Sequence, residues 1–180
     1  IRQEIQDDVG TMIGDPTQIH QIMLNLGTNA AHAMQDMGGV LEIRLNPTEI
    51  NEQITIPSHE MFPGNYICLT VSDSGAGIPP EIRDRIYDPY FTTKEVGKGT
   101  GMGLSIVHGI VKSHGGSISV ESSIGKGTTF NILFPAVKGE VKPTSETDTK
   151  PPAGNEKILF IDDEESTADM VGLMLSRLGY

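Results

Sequence analysis

The sequence predicts a domain of mixed α and β structure (α+β), and three observations carry that reading. Apolar residues recur at helical spacing from Ile19 to Met37, and again from Ile106 to Val111. Short runs such as Val40–Leu45 and Tyr66–Val71 have the alternating or continuous apolar character of strands. Glycines at alternate positions, Gly97 to Gly103, lead straight into the second helical stripe. The 180 residues leave room for one full domain and part of another. A formal charge of −11 argues against a nucleic-acid surface, which is ordinarily basic, yet leaves a local phosphate site open. The single Cys68 excludes an internal disulfide framework, fits a reducing compartment and lies in an apolar run, as a core thiol does. No stretch reads as a secretion signal or a membrane span, so a cytoplasmic chain without direct membrane contact is expected, whatever anchors a longer parent.

Ile1 to Met12 reads as a strand-like tail, with Val9 and Ile13 facing inward. The first helix opens at Asp15-Pro16. Asp15 suits the N-cap, Pro16 the first helical position, and Gln18 completes a capping box. Ile19, Ile22, Met23, Leu26, Ala30, Ala33, Met34 and Met37 form the apolar stripe, and Gly38-Gly39 ends it. Asn25 and Asn29 lie four apart beside that stripe, in a helix interior that asparagine mildly disfavours. Such a pair either caps neighbouring loops or forms a metal–phosphate site, the amide oxygen being a hard ligand suited to Mg²⁺.

Val40–Leu45 reads as a half-buried strand from which Asn46-Pro47 turns away, and Thr48–Gly64 as an exposed strand plus a loop. The strand Tyr66–Val71 runs into Asp73, Gly75 and Gly77. A carboxylate there either accepts from a purine amino group or closes an Asx-turn on its own backbone. Pro79-Pro80-Glu81 opens a short helix to about Tyr87. Asp88–Lys94 is then polar and turn-rich but carries Tyr90 and Phe91, as either a surface loop or a lid with Lys94 or Lys98 as its cation. Gly97, Gly99, Gly101 and Gly103 before a helix at Leu104–His114 form either a flexible linker or a phosphate cradle. His108 and His114 read as structural or surface residues. Ser117–Glu121 and Thr128–Phe134 make a hairpin about Ile124–Gly127. Pro135 ends the domain, and residues 136–155 are a linker. Lys157–Ile161 reads as a buried strand ending in Asp162-Asp163, followed by a helix up to Gly179.

In order and spacing these motifs resemble the ATP-binding domain of histidine kinases, of the Bergerat-fold group shared with gyrase, mismatch-repair and heat-shock chaperone ATPases. Asn25–Ala30 looks like the N box, Asp73–Gly77 the first glycine box, and Tyr87–Lys94 the F box. Gly97–Leu104 is similar to the second glycine box, and Gly125–Phe130 to the closing strand motif. The resemblance covers residues 1–135 and implies a two-layer α/β sandwich, a mixed sheet covered by helices on one face, with ATP between helices and a lid. Carried over by position, Asn29 would hold the Mg²⁺ that accompanies ATP, with Asn25 at the phosphates. Asp73 would accept the adenine amino group, with Gly77 and Thr128 lining that pocket. Gly99, Gly101 and Gly103 would wrap the phosphates, and Lys94 would reach the γ-phosphate. Gly75, Ile78, Phe91, Met102 and Leu104 complete the implied ATP-binding set. Tyr90 and Met102 depart from the usual phenylalanine and leucine but keep their bulk.

Residues 156–180 resemble the first strand and acidic pocket of response-regulator receiver domains, with Asp162 and Asp163 as Mg²⁺ ligands. The implied whole is a piece of a hybrid sensor histidine kinase in a two-component phosphorelay. Such kinases move the ATP γ-phosphate to a histidine on a helical dimerisation domain, and on to a receiver or response regulator. His59 does not fit that acceptor: it follows the asparagine helix, and its flanking prolines exclude a long helix. With neither acceptor among these residues, ATP binding without autophosphorylation is expected. A gyrase- or chaperone-type ATPase would need a general base where Asn25 stands, and an amide cannot take a proton. A regulatory serine-kinase-like module would share the pocket, but the receiver-like start argues against it. A degenerate, non-binding scaffold is at odds with the filled polar positions, while a nucleotide-binding scaffold without activity stays an alternative.

Overall fold

The computed structural model describes residues 1–35, 38–51, 54–56, 59–94, 100–137, 154, 156–161 and 165–180. Met37, Gly97, Lys98, Gly99, Asp162 and Asp163 lie outside the described residues. The chain divides into two compact units, Ile1–Gly139 and Glu140–Tyr180. In the first, the elements run β1 (Arg2–Ile5), α1 (Pro16–Ala33), β2 (Leu41–Ile50), β3 (Ile54–Ile56), β4 (His59–Met61) and β5 (Gly64–Asp73). A short 3-10 helix (Pro80–Arg85), α2 (Gly103–Ser113), β6 (Ser117–Ser123) and β7 (Gly127–Pro135) follow. Five strands make one sheet in the order β1-β2-β5-β7-β6, while β3 and β4 form a separate two-stranded sheet. β1 runs parallel to β2 and the remaining pairs are antiparallel, so the sheet is mixed.

Because strand side chains alternate between faces, the register lays them out in rows across the helix-covered face. One row is Leu45, Leu69, Ile132 and Ile118; the next is Ile43, Val71, Phe130 and Val120. Both pack against the buried stripes of α1 (Ile22, Leu26) and α2 (Val107, Ile110, Val111). The third row is Leu41, Asp73, Thr128 and Ser122. There the apolar layers give way to three polar side chains in succession.

α1 starts where Asp15 was expected to cap it: the Asp15 carboxylate accepts the Thr17 N–H at 2.8 Å, with Pro16 in the first turn. His114 is structural, as expected. Donating from Nδ1 to the Ile110 carbonyl at 2.8 Å leaves Nε2 to accept the Asp15 N–H at 3.4 Å, tying the end of α2 to the start of α1. Asp15→Ala is expected to cost about 1 kcal/mol of stability, read as a lower urea midpoint at unchanged slope.

Three expectations need correction. β2 does not end at Asn46-Pro47 but runs through them to Ile50. Pairing with β1 stops at Leu45, leaving one edge of β2 open beyond it, where a proline costs no ladder bond. Ile13 does not face inward; it is 81% exposed. In the second unit, residues 157–161 form no strand, and Leu159 and Ile161 are exposed, because no other strand is described in that unit to complete a ladder. The expected helix there is present as α3 (Glu165–Arg177). No helix among the described residues is long and apolar enough to cross a membrane.

Candidate functional site

The polar row ends where the loops of the sheet meet the ends of both helices. Asp73 closes β5, and the Gly75 N–H donates to its Oδ1 at 2.8 Å. The Asx-turn is therefore present, but a carboxylate has about four lone-pair sites, so the turn does not exhaust Asp73. Burial pushes the Asp73 carboxyl above its ordinary pKa, while the backbone N–H groups of Gly75 and Thr128 pull it back. Beside it Thr128 is buried. The Ser122 hydroxyl contacts Thr128 Oγ1 at 3.0 Å, donates to the Gly127 carbonyl at 2.9 Å and accepts the Ile78 N–H at 2.8 Å.

The turn after Asp73 is stitched to its neighbours. The Ala76 N–H reaches the Ala33 carbonyl at 3.0 Å, satisfying an orphan acceptor at the end of α1. Gly75 lies close against that same carbonyl, and Gly77 against the backbone of Ser123. Ile78 packs at the margin of the core.

Asn25 and Asn29 are half-buried on α1. The Asn25 amide oxygen faces the first residue of α2: a Cβ on Gly103 would stand 3.1 Å from it. Asn29 Oδ1 accepts from the Lys94 ammonium at 3.3 Å, and the same Nζ lies 3.1 Å from His32 Nδ1. Burial lowers the Lys94 pKa. Lys94 is thus brought onto the asparagine helix by the loop that follows the 3-10 helix. In that loop Phe91 is half-buried beneath the Arg85 guanidinium, 4.5 Å from the ring centroid. Tyr90 is 76% exposed with φ +66°, so only one of the two aromatics is tucked down. Gly101 lies against the Tyr90 backbone. α2 begins without a side-chain cap hydrogen bond, an arrangement that could accept an anion, and Met102 and Leu104 flank that end.

Of the expected residues, Asp73 and Thr128 are direct neighbours, as are Asn29 and Lys94. Asn25 adjoins Gly103. Sequence reasoning does not single out Ser122 or His32, though signals for both exist. Ser122 follows Ile118 and Val120 with the period of a strand, and His32 lies three residues after Asn29, on the same helix face. Among the described residues no group of three or more His, Cys, Asp or Glu side chains could hold a metal ion. Two cavities of about 400 and 470 Å³ lie at the other end of β5, around Asn65, Tyr66 and Ala136. They contain none of these residues.

Residues 14–138 match the family described as histidine kinase-, DNA gyrase B-, and HSP90-like ATPase. The chain is 36% identical over 172 residues to the sensor kinase CckA of Brucella abortus (strain 2308), a match covering 88% of this chain and 18% of that protein. It is 37% identical over 135 residues to sporulation kinase A of Bacillus subtilis (strain 168), covering 75% of this chain and 19% of that one. Among solved structures, the nucleotide-free catalytic domain of histidine kinase ThkA superposes with a TM-score of 0.55 at 30% identity, over 74% of this chain and 77% of that one. The chain spans about a fifth of the length of these curated relatives.

Proposed function

The chain belongs to the histidine kinase-, DNA gyrase B- and HSP90-like ATPase family, and from that premise we propose that it delivers the γ-phosphate of ATP to a histidine on a partner dimerisation domain. It is the ATP-binding catalytic domain of the sensor histidine kinase type. The observation that carries the proposal is the pairing of a polar base-binding end, Asp73 with Thr128, with a cation-bearing phosphate end, Asn29 with Lys94. Asp73 accepts from the adenine amino group, with Thr128, Gly77 and Ile78 around the base. The N–H groups at the start of α2, with Gly101 and Gly103, receive the phosphates, and Asn25 adjoins them. Lys94 turns from Asn29 to the γ-phosphate.

The residues fit a divalent cation held with the nucleotide. Asn29 Oδ1 already accepts from a cation, the Lys94 ammonium, and amide oxygen is a hard donor. With no carboxylate cage among the described residues, Asn29 and the nucleotide phosphates would hold Mg²⁺ between them. The chemistry such an ion would supply there is charge neutralisation on the phosphates. The protein's own contribution is orientation. Nothing at Asn25 can deprotonate a water, which favours transfer to a protein histidine over hydrolysis.

The second unit is the start of a receiver domain in this reading. The match to CckA, at 88% of the chain, is too long to be contained in residues 1–139, so it extends into that unit. The parent is then a hybrid kinase acting in the cytoplasm, its receiver or a separate response regulator taking the phosphate onward.

Calorimetric titration of Mg–ATP is expected to show binding in the micromolar range, about 8 kcal/mol. Asn29→Ala should remove the Mg²⁺-dependent part and leave ADP binding without metal intact. Mixed with the dimerisation domain of a related sensor kinase, the chain should transfer label from γ-labelled ATP to an acid-labile, alkali-stable site. Release of inorganic phosphate without such labelling would replace this reading with that of an ATPase.

A further inference from the structure

Ser122 stands at the end of the polar row with every hydrogen-bonding capacity of its hydroxyl assigned. A hydroxyl has one proton and two lone pairs. The Gly127 carbonyl, 2.9 Å away, can only accept, so the Ser122 proton goes there. The Ile78 N–H, at 2.8 Å, can only donate, and takes one lone pair. What remains for Thr128 Oγ1, at 3.0 Å, is the other lone pair, so the Thr128 hydroxyl must be the donor of that bond. Arg83 holds the Ser122 backbone in place, its Nη2 donating to the Ser122 carbonyl at 2.8 Å. The direction of the chain of protons is therefore fixed.

We propose that Ser122 is a positioning residue that sets the base selectivity of the site. By drawing the Thr128 proton to itself, it leaves Thr128 Oγ1 with acceptor lone pairs alone, next to the acceptor-only carboxylate of Asp73 in the adjoining strand. Two neighbouring acceptors favour a purine that presents an amino group at C6. They disfavour one that presents a keto oxygen there: the amino group offers a proton to each acceptor, whereas the keto oxygen sets lone pair against lone pair and the adjoining N1–H can serve only one of the two. Without Ser122 the Thr128 hydroxyl can rotate and offer its proton to a keto oxygen. This inference rests on the reading of Asp73 and Thr128 as the base pocket.

The test is calorimetric titration of ADP and of inosine diphosphate, which carries a keto group at C6, without metal. The unaltered chain is expected to bind ADP at least about tenfold more tightly. Ser122→Ala should cut that ratio about fivefold. Thr128→Val, which leaves Ser122 intact but removes the oriented acceptor, should cut it similarly. Ser122→Thr, which keeps a hydroxyl, should restore it. A merely structural role would weaken both ligands alike and lower the melting temperature without moving the ratio. An unchanged ratio in Ser122→Ala and Thr128→Val therefore overturns the proposal, and if Ser122→Ala does not fold, Thr128→Val alone decides. If the unaltered chain binds both diphosphates equally, the base-pocket reading falls and the proposal falls with it. Binding of neither points to a chain without a working nucleotide site.

Discussion

Asp73→Asn is expected to weaken ADP binding about 100-fold, close to 3 kcal/mol, without lowering the melting temperature of the ligand-free domain. The two halves of this result have separate causes. Binding needs an acceptor in the polar row, and the asparagine amide places N–H donors where the carboxylate had only lone pairs. Stability does not need the charge, because burial already works against it, raising the Asp73 pKa despite the Gly75 and Thr128 N–H groups. The raised value also fixes the sign of the pH dependence. Between the ordinary aspartate pKa and the raised one, the folded chain binds more protons at Asp73 than the unfolded chain does. This side chain's contribution to stability therefore declines as pH rises through that window, while ADP affinity increases. Melting curves with and without ADP across the acid range, taken as the difference between the unaltered chain and Asp73→Asn, should show the two trends in opposite directions. Parallel trends would place the nucleotide away from Asp73.

Gly127→Ala is expected to be the most damaging single-methyl addition in the hairpin, costing about 3 kcal/mol or more. Gly127 has φ +97°, a region that side chains rarely adopt, and an added Cβ would overlap the Asp73 carbonyl and stand 2.9 Å from Ser74 Cα. The obstruction is backbone of the adjoining strand, which cannot swing aside as a side chain would. Gly125 is the internal control: its φ is +74°, but nothing lies within 4 Å of an added Cβ. Gly125→Ala should cost only the conformational strain, about 1–2 kcal/mol. Urea unfolding of the two variants measures the difference, and equal losses would show that strain rather than contact governs position 127. Because Gly127 also carries the carbonyl that anchors Ser122, its substitution should reduce ADP affinity as well.

The helices and their caps were legible because their determinants are local. The Asp15 cap and the stripe Ile22, Leu26 and Ala30 need only the spacing of neighbours in sequence. Asp73 was legible for the same reason, as a carboxylate closing an apolar strand. Pro47 misleads because proline ends a strand only if both of its edges are paired, and the extent of β1 is not written around Pro47. The apolar run Ile158–Ile161 misleads for a related reason: hydrophobicity marks residues suited to a sheet, whereas a sheet forms only with a partner. Ser122 and its relation to Thr128 depend on strand register, a property of two segments at once. A proton's direction then depends on a third, the turn carrying Ile78.

The place of β7 in the sheet makes the polar row depend on a single long-range pairing. This strand is the last in sequence of the first unit, yet it lies between β5 and β6, not at an edge. Until it inserts, Val71 has no Phe130 beside it and Asp73 has no Thr128. The pairing joins segments with the 3-10 helix, α2 and β6 between them, so it is a long-range contact whose closure costs chain entropy. The adjacency of Asp73 and Thr128 therefore exists only where β5 and β7 are paired. A nucleotide held by both side chains would stabilise the paired state by mass action, so any opening between β5 and β7 would have to release it first.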